Sequence, residues 1–375
     1  MFKLPDIPNS IFSTMSHLAR KHEAINLSQG FPDFEIDPIL ISLIEKVSKG
    51  SVHQYSPMAG EPNLLEEISK LIYESYGREL NPQKEILITA GATQGIFTCI
   101  QALVKPGDEV LILDPSYDCY VMPITLSQGV PVRIPLNEEF LPDWDLIKDA
   151  VNEKTKLIIT NNPHNPSGRI WSKSDLQELS KLLLSNPKLY HLSDEVYEHI
   201  TYESKHESAN LYEALHAKTI IVSSFGKSFH ITGWKVGYVV GPENLINELK
   251  KVHQYLVFTV NSLSQHVLSE YLKQQNVKEL TNFYRQKRDL FRAGMQKSKF
   301  KLLPCEGTYF QLASYSNHSQ ESDVNFCHQL VEEFKLAAIP ISVFSAHKEK
   351  RKVIRFCFAK GDKTLTKATD ILCEI

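Results

Sequence analysis

Cysteine is scarce and scattered. The six residues, Cys99, Cys119, Cys305, Cys327, Cys357 and Cys373, form no Cys-x-x-Cys pair. That spacing excludes a disulfide-stapled scaffold and a structural zinc site. His191, His199, His206, His216, His230 and His253 show no His-Glu-x-x-His or similar ligand spacing, so no metal centre is expected. A Gly-x-Ser-x-Gly nucleophile elbow is absent too. No apolar run approaches the roughly 18–20 residues that cross a bilayer. Neither sign of charge dominates, since 41 basic and 44 acidic residues leave a net charge of −3. Such a balance gives no electrostatic footprint for nucleic acid or an anionic membrane. The first residues are broken by Pro5, Asp6 and Pro8, so no signal peptide is expected. A cytoplasmic protein is the expectation.

What is present suits a two-domain enzyme, because 375 residues can bury a large core. Repeats, low-complexity tracts and long linkers are missing. Apolar runs at 85–89, 109–113, 130–134, 156–160, 190–193, 219–223 and 236–240 read as strands. Amphipathic stretches at 93–104, 141–151 and 174–184 read as helices, the last with Ser174 as its candidate N-cap. Strands alternating with helices imply an α/β fold with a mainly parallel sheet. Ligands in such sheets bind where loops leave the carboxyl ends of strands. Beyond residue 245 the pattern changes. Long helices are expected at 244–262 and 264–297, the second with a break near Gln275–Asn276. Strand-like pieces follow at 300–303, 308–312, 338–343 and 353–358, with a helix at 323–334. A smaller α+β domain is expected there.

The polar motifs fall after the strands. Ser223–Tyr238 places Lys227 just past an apolar run, among Ser, Gly and Thr, with a second cation at Lys235. An amine that must form an imine needs a strand end to fix it, small neighbours for access and a nearby anion site. A solvated surface lysine fits the same residue taken alone. Thr-Ala-Gly-Ala-Thr-Gln-Gly at 89–95 opens a helix, and the backbone N–H groups of Ala92 and Thr93 could take an anion. An unliganded helix cap has the same sequence. Tyr117, after the next strand, could stack on a flat ring or simply pack under its loop.

Asn-Asn-Pro-His-Asn-Pro-Ser-Gly at 161–168 fixes a tight polar turn that presents the Asn165 amide. Asp194 could stand beside a cationic ring nitrogen, with Tyr197 three residues on, or could serve as an N-cap. Arg355 lies within an apolar strand and needs an anionic partner, either a substrate carboxylate or an internal Asp or Glu.

In this order the motifs resemble those of the class I/II, fold type I pyridoxal-phosphate aminotransferases, over essentially the whole chain. The resemblance is greatest to the branch holding methionine aminotransferase and kynurenine–oxoglutarate aminotransferase (glutamine transaminase K), at its bacterial methionine end. It rests on Gln29-Gly-Phe-Pro-Asp-Phe34, Gln54-Tyr-Ser-Pro57, Asp194-Glu-Val-Tyr-Glu-His199, Ser224-Phe-Gly-Lys227, Gly233-Trp-Lys-Val-Gly-Tyr238, Cys305-Glu-Gly-Thr-Tyr-Phe310 and Ala338-Ile-Pro-Ile-Ser-Val-Phe344.

The resemblance implies pyridoxal 5′-phosphate as cofactor, held covalently by Lys227, which also shuttles the proton. It implies a phosphate site of Ala92, Thr93, Ser224 and Lys235, reached by Tyr55 of a partner subunit. Tyr117 would stack on the ring, Asp194 would pair with its nitrogen, and Asn165 and Tyr197 would bond its oxygen. Arg355, with Asn165 and the Gly30 backbone, would clamp the substrate carboxylate. Phe12 and the neighbouring subunit's Phe258 would line the side-chain pocket.

The implied assembly is a homodimer with shared active sites. Its implied layout is an arm at 1–35, a large domain at 36–262 and a small domain at 263–375. Many members carry Arg at the position of Lys235 and Ser at that of Gly226; both replacements fit the named branch. Dicarboxylate-specific relatives carry a second arginine near the partner-subunit loop. Here no Arg or Lys lies between Lys251 and Lys273, so a neutral apolar or aromatic donor is expected, methionine first. The same scaffold could instead serve kynurenine or glutamine, or run β-elimination on cysteine S-conjugates.

Overall fold

The computed structural model describes residues 10–275, 277–346 and 351–375. Helix Ile11–Lys21 leads into a short strand, β1 (Ile25–Asn26). The central sheet is built from β2 (Ile86–Thr89), β3 (Glu109–Asp114), β4 (Val130–Pro135), β5 (Thr155–Asn161), β6 (Tyr190–Asp194), β7 (Thr219–Ser224) and β8 (Gly237–Val240). Their spatial order is β2-β8-β7-β6-β5-β3-β4. All pairings are parallel except those of β8, which runs against both β2 and β7. Strands such as Leu-Ile-Ile in β5 and Ile-Ile-Val in β7 are apolar without alternation, as strands covered on both faces must be.

The seven strands expected from the sequence all form, within a residue or two at each end. The mainly parallel α/β expectation is borne out. The helix expected at 174–184 starts earlier, at Lys173, and its N-cap is Ser172 rather than Ser174. Asp175 decides this. Its N–H donates to the Ser172 hydroxyl at 3.3 Å, while its carboxylate accepts the Ser172 N–H at 2.8 Å.

The C-terminal part holds an antiparallel sheet of β9 (Lys301–Leu302), β10 (Phe310–Ser314), β12 (Ile339–Pro340) and β13 (Val353–Cys357), in the order β12-β13-β10-β9. Helices Lys278–Gly294, Asp323–Phe334 and Asp362–Glu374 accompany it. Another short strand, β11 (Leu336–Ala337), pairs in parallel with β1, which ties the N-terminal segment to this part of the chain.

The long helices expected here are shorter. The first ends at Leu256; Phe258 then takes φ +68°, and Asn261 caps a new helix, Ser262–Leu272. The next helix begins at Lys278, so the expected break near Gln275–Asn276 lies in the connection, though Asn276 itself is outside the described residues. Within 338–343 only Ile339–Pro340 pairs as strand. Ser342 is drawn into a single turn, Ser342–Phe344, because its N–H and hydroxyl both donate to Asp323 at 2.7 Å.

Candidate active site

Strands β2, β3, β5, β6 and β7 deliver their carboxyl ends to one rim of the sheet. The reversed strand β8 begins at that rim, with Gly237 opposite both Thr89 and Ser224. The loops leaving these ends therefore converge on a cavity of about 360 Å³, within the usual range for a small-molecule site. It is lined by Ala92, Thr93, Tyr117, Asn165, Asp194 and Tyr197, and equally by Ser224, Lys227, Lys235, Gly30, Phe12 and Arg355. Every candidate named from the sequence is thus brought together except Tyr55 and Phe258. Those two form an edge-to-face pair, with centroids 5.5 Å apart, and line no part of this cavity. Tyr55 is 81% exposed.

Lys227 sits in a single helical turn directly after β7. Its Nζ donates to the Gly30 carbonyl at 3.3 Å and lies 5.7 and 5.6 Å from the ring centres of Tyr197 and Tyr309. Burial is the main cause that brings its pKa down, from 10.5 to about 8. Arg355 and Lys235 push the same way; Cys357 and Asp194 oppose them. Among the neighbouring cations Arg355 weighs more than Lys235, and burial more than either.

Asp194 ends β6 and is 3% exposed. Burial raises its carboxyl from 3.8 to about 6, against the hydrogen bonds that favour the ionised form. Tyr120 supplies the strongest of these, its hydroxyl donating to Oδ2 at 2.6 Å. The Val196 N–H donates to Oδ1 at 3.3 Å. Asp194 caps a turn, then, but not a helix.

Arg355 stands in β13, 1% exposed. Among the described residues it forms no ion pair with Asp or Glu. Its Nη1 donates to Asn165 Oδ1 at 2.6 Å and its Nη2 to the Ser28 carbonyl at 3.4 Å. The guanidinium carbon lies 3.8 Å from the centre of the Phe310 ring, and Nε, though buried, has no partner. A buried guanidinium with only neutral partners and an orphaned N–H is built for an anion that enters from the cavity. The Asn165 amide is set by the turn itself: its backbone N–H donates to Asn161 Oδ1 at 2.7 Å, and Asn161 Nδ2 donates to the Asp194 carbonyl at 2.9 Å. With Oδ1 committed to Arg355, the Asn165 Nδ2 is left to donate into the cavity.

The opposite wall suits a phosphate. Helix Ala92–Leu103 starts after Gly91, whose φ of +75° is glycine territory. A Cβ on Gly91 would stand 3.2 Å from Lys235 Nζ, and one on Gly237 would stand 2.9 Å from the Ala92 nitrogen. Both glycines keep a cradle open between a helix N-terminus and an ammonium group. Lys235 itself takes a left-handed backbone (φ +55°) and makes no ion pair among the described residues.

The chain matches the family "Aminotransferase class I and II" over residues 22–372. It belongs to the class I and II aminotransferases. It is 43% identical to methionine aminotransferase of Escherichia coli (strain K12), over 100% of this chain and 97% of that protein. It is 34% identical to a kynurenine–oxoglutarate transaminase of Dictyostelium discoideum, over 98% and 94% respectively. A solved E. coli structure, identified as a methionine aminotransferase, superposes with a TM-score of 0.98 at 42% identity, covering 100% of this chain and 99% of that one. The fold is therefore fold type I, the cofactor is pyridoxal phosphate, and the substrates are an amino acid and a 2-oxo acid. The residues present fit that cofactor, because one cavity is lined by a cradle for phosphate, the Asp194 carboxylate and the Lys227 amine. Among the described residues no helix is long and apolar enough to cross a membrane.

Several contributors lay beyond sequence reasoning. Tyr120, which steadies Asp194, is one more aromatic three residues after Tyr117. Tyr309 donates to the Gly30 carbonyl at 2.6 Å, sharing that acceptor with Lys227. Glu198 accepts 2.5 and 3.0 Å bonds from the Tyr76 and Tyr238 hydroxyls and a short one from Ser223, which fastens the turn bearing Tyr197 to β7. No spacing in the sequence announces these pairings, since the partners lie up to 279 residues apart.

Proposed function

We propose that this aminotransferase takes its amino group from a neutral apolar or aromatic L-amino acid, methionine foremost, by a ping-pong cycle. The observation that carries this reading is that Lys227 shares one cavity with a buried Arg355 that has no acidic partner among the described residues, and that Phe12, Phe31, Tyr117 and Phe310 also line it. When bound, pyridoxal phosphate supplies an aldehyde for the donor amine and a ring that draws electron density from the Cα bonds. Ala92, Thr93, Ser224 and Lys235 would hold its phosphate, and Tyr117 would stack on the ring. Asp194 would keep the ring nitrogen protonated, while Asn165 and Tyr197 would bond the ring oxygen. Arg355, with Asn165 and the backbone at Gly30, grips the donor carboxylate and so orients the Cα–H bond. Lys227 Nζ, largely desolvated, is placed to take the proton from the donor Cα and would deliver it to C4′ of the cofactor.

Phe12 forms the side-chain wall, 6.5 Å from Tyr117 between ring centres. Tyr55 and Phe258 complete the site from a second copy; their exposure and their absence from the lining of this chain's own cavity support a homodimer. To the same reading belong an arm at 1–35 (residues 1–9 lie outside the described chain), a large domain at 36–262 and a small domain at 263–375. The β1–β11 pairing supports the attachment of the arm to the small domain. A cytoplasmic location is supported by six cysteines that all stand as thiols.

A donor panel against several 2-oxo acids tests the proposal. Methionine should lead, followed by phenylalanine, tyrosine or kynurenine, with aspartate far behind. Efficient turnover of aspartate with none of methionine or the aromatics overturns it. Pyruvate released from a cysteine S-conjugate without any oxo acid would point to β-elimination instead.

A further inference from the structure

Asp114 ends β3 three residues before Tyr117, and its side chain is 1% exposed. It touches nothing in the cavity, yet its carboxylate is fully used. Oδ1 accepts from Arg133 Nη1 at 2.6 Å. Oδ2 accepts from the Ser345 hydroxyl at 2.7 Å and from the Ala346 N–H at 3.0 Å. Those two residues follow the turn Ser342–Phe344, which belongs to the C-terminal part of the chain. The grip continues on the backbone. The Phe344 carbonyl accepts from the Ser116 N–H at 2.9 Å and from Arg133 Nη1 at 3.3 Å. Asp323 holds the other end of the same turn through Ser342. One carboxylate at each end therefore fixes a single residue, Phe344.

That residue is 1% exposed and stands behind the site. Its ring centre is 5.9 Å from that of Phe12 and 5.2 Å from the Arg355 guanidinium carbon. Phe344 is thus the backing for both groups that would meet the donor, its carboxylate clamp and its side-chain wall. Asp323 lies on a helix of the same C-terminal part, but Asp114 reaches across from the central sheet. The register between sheet and backing ring is consequently set by Asp114 together with the Ser116 N–H and Arg133, and Asp114 is the group that joins both Arg133 and the segment after Phe344.

We propose that Asp114 is a positioning residue for donor recognition, acting through Ser345 and Ala346 to hold the Phe344 ring against Phe12 and Arg355. This rests on the reading of Phe12 and Arg355 given above. The Asp114 carboxylate takes no part in proton transfer. Its contribution is to selectivity between large and small donors. A misplaced backing ring costs most for donors whose side chain must press on Phe12 and least for alanine, which does not reach it.

The test is steady-state kinetics of holoenzyme Asp114→Asn and Ser345→Ala with phenylalanine, methionine and alanine. Cofactor absorbance and thermal unfolding are recorded on the same samples. For Asp114→Asn, kcat/KM for phenylalanine should fall about tenfold further than for alanine, mainly through KM, since displacements of an ångström can cost up to about a hundredfold. Ser345→Ala, which removes the hydroxyl bond to Asp114 and no charge, should shift selectivity the same way by a smaller factor. Cofactor absorbance should not change in either variant. Equal losses on all three donors, or no loss, in variants that fold and hold cofactor overturn the role of Asp114 while leaving the donor reading intact. A wild-type enzyme with no preference for phenylalanine or methionine over alanine overturns the donor reading, and this proposal with it.

Discussion

The Tyr120 hydroxyl donates to Asp194 at 2.6 Å although Tyr120 itself lines no part of the cavity, and both groups are buried. The bond opposes the burial that lifts the Asp194 carboxyl to about 6. A hydrogen bond to a charged group contributes about 1.5–3 kcal/mol. Tyr120→Phe should therefore raise the Asp194 pKa further and lower kcat by roughly tenfold or more. The direction in pH follows. A higher pKa means that the ionised carboxylate is lost at higher pH, so the acid limb of the kcat profile should move upward. An unchanged profile would show that Tyr120 only fills space.

Lys227 leads to a second pH dependence. A pKa near 8 in place of 10.5 leaves roughly a quarter of the amine neutral at pH 7.5, against about one part in a thousand for an ordinary lysine. Cofactor uptake by the apoenzyme should accelerate with pH and level off above about 8, not near 10.5. Stopped-flow absorbance with pyridoxal phosphate measures this. After borohydride reduction, peptide mass spectrometry should place the added mass on Lys227, and Lys227→Ala should give no adduct and no turnover. A plateau displaced to pH 10 would contradict the role given to burial.

Arg355 reads the carboxylate common to every donor. Truncating a buried, hydrogen-bonded charged partner costs about 2–5 kcal/mol, so Arg355→Ala should lower kcat/KM at least about thirtyfold, and by a similar factor for each donor. Arg355→Lys should recover only part, because a point charge cannot reproduce the two-pronged contact. Losses confined to one donor class would make Arg355 a side-chain sensor instead.

Strand positions were legible because covered parallel strands must be continuously apolar, and Ile-Ile-Val or Leu-Ile-Ile runs announce that directly. Site residues could be named because they follow those runs in loops at one rim. Helix ends were less legible. Ser172 and Ser174 are both competent caps, and only the reciprocal bond with Asp175 selects the first. The 244–262 stretch stays amphipathic past Leu256, so nothing local foretells the positive φ of Phe258 or the Asn261 cap. Tyr120, Tyr309, Glu198 and Asp114 act through partners far away in sequence, and such pairings exist only once the chain has folded.

Ser224 and Gly237 face each other across β7 and β8, so residues 225–236 leave the rim and return to it at fixed points. Their number is pinned by the ladder on either side. A residue added or removed there would swing either Lys227 or Lys235 off target, unless two strands slipped and turned their buried faces outward. Point substitutions can drift through this excursion over evolutionary time, but its length cannot.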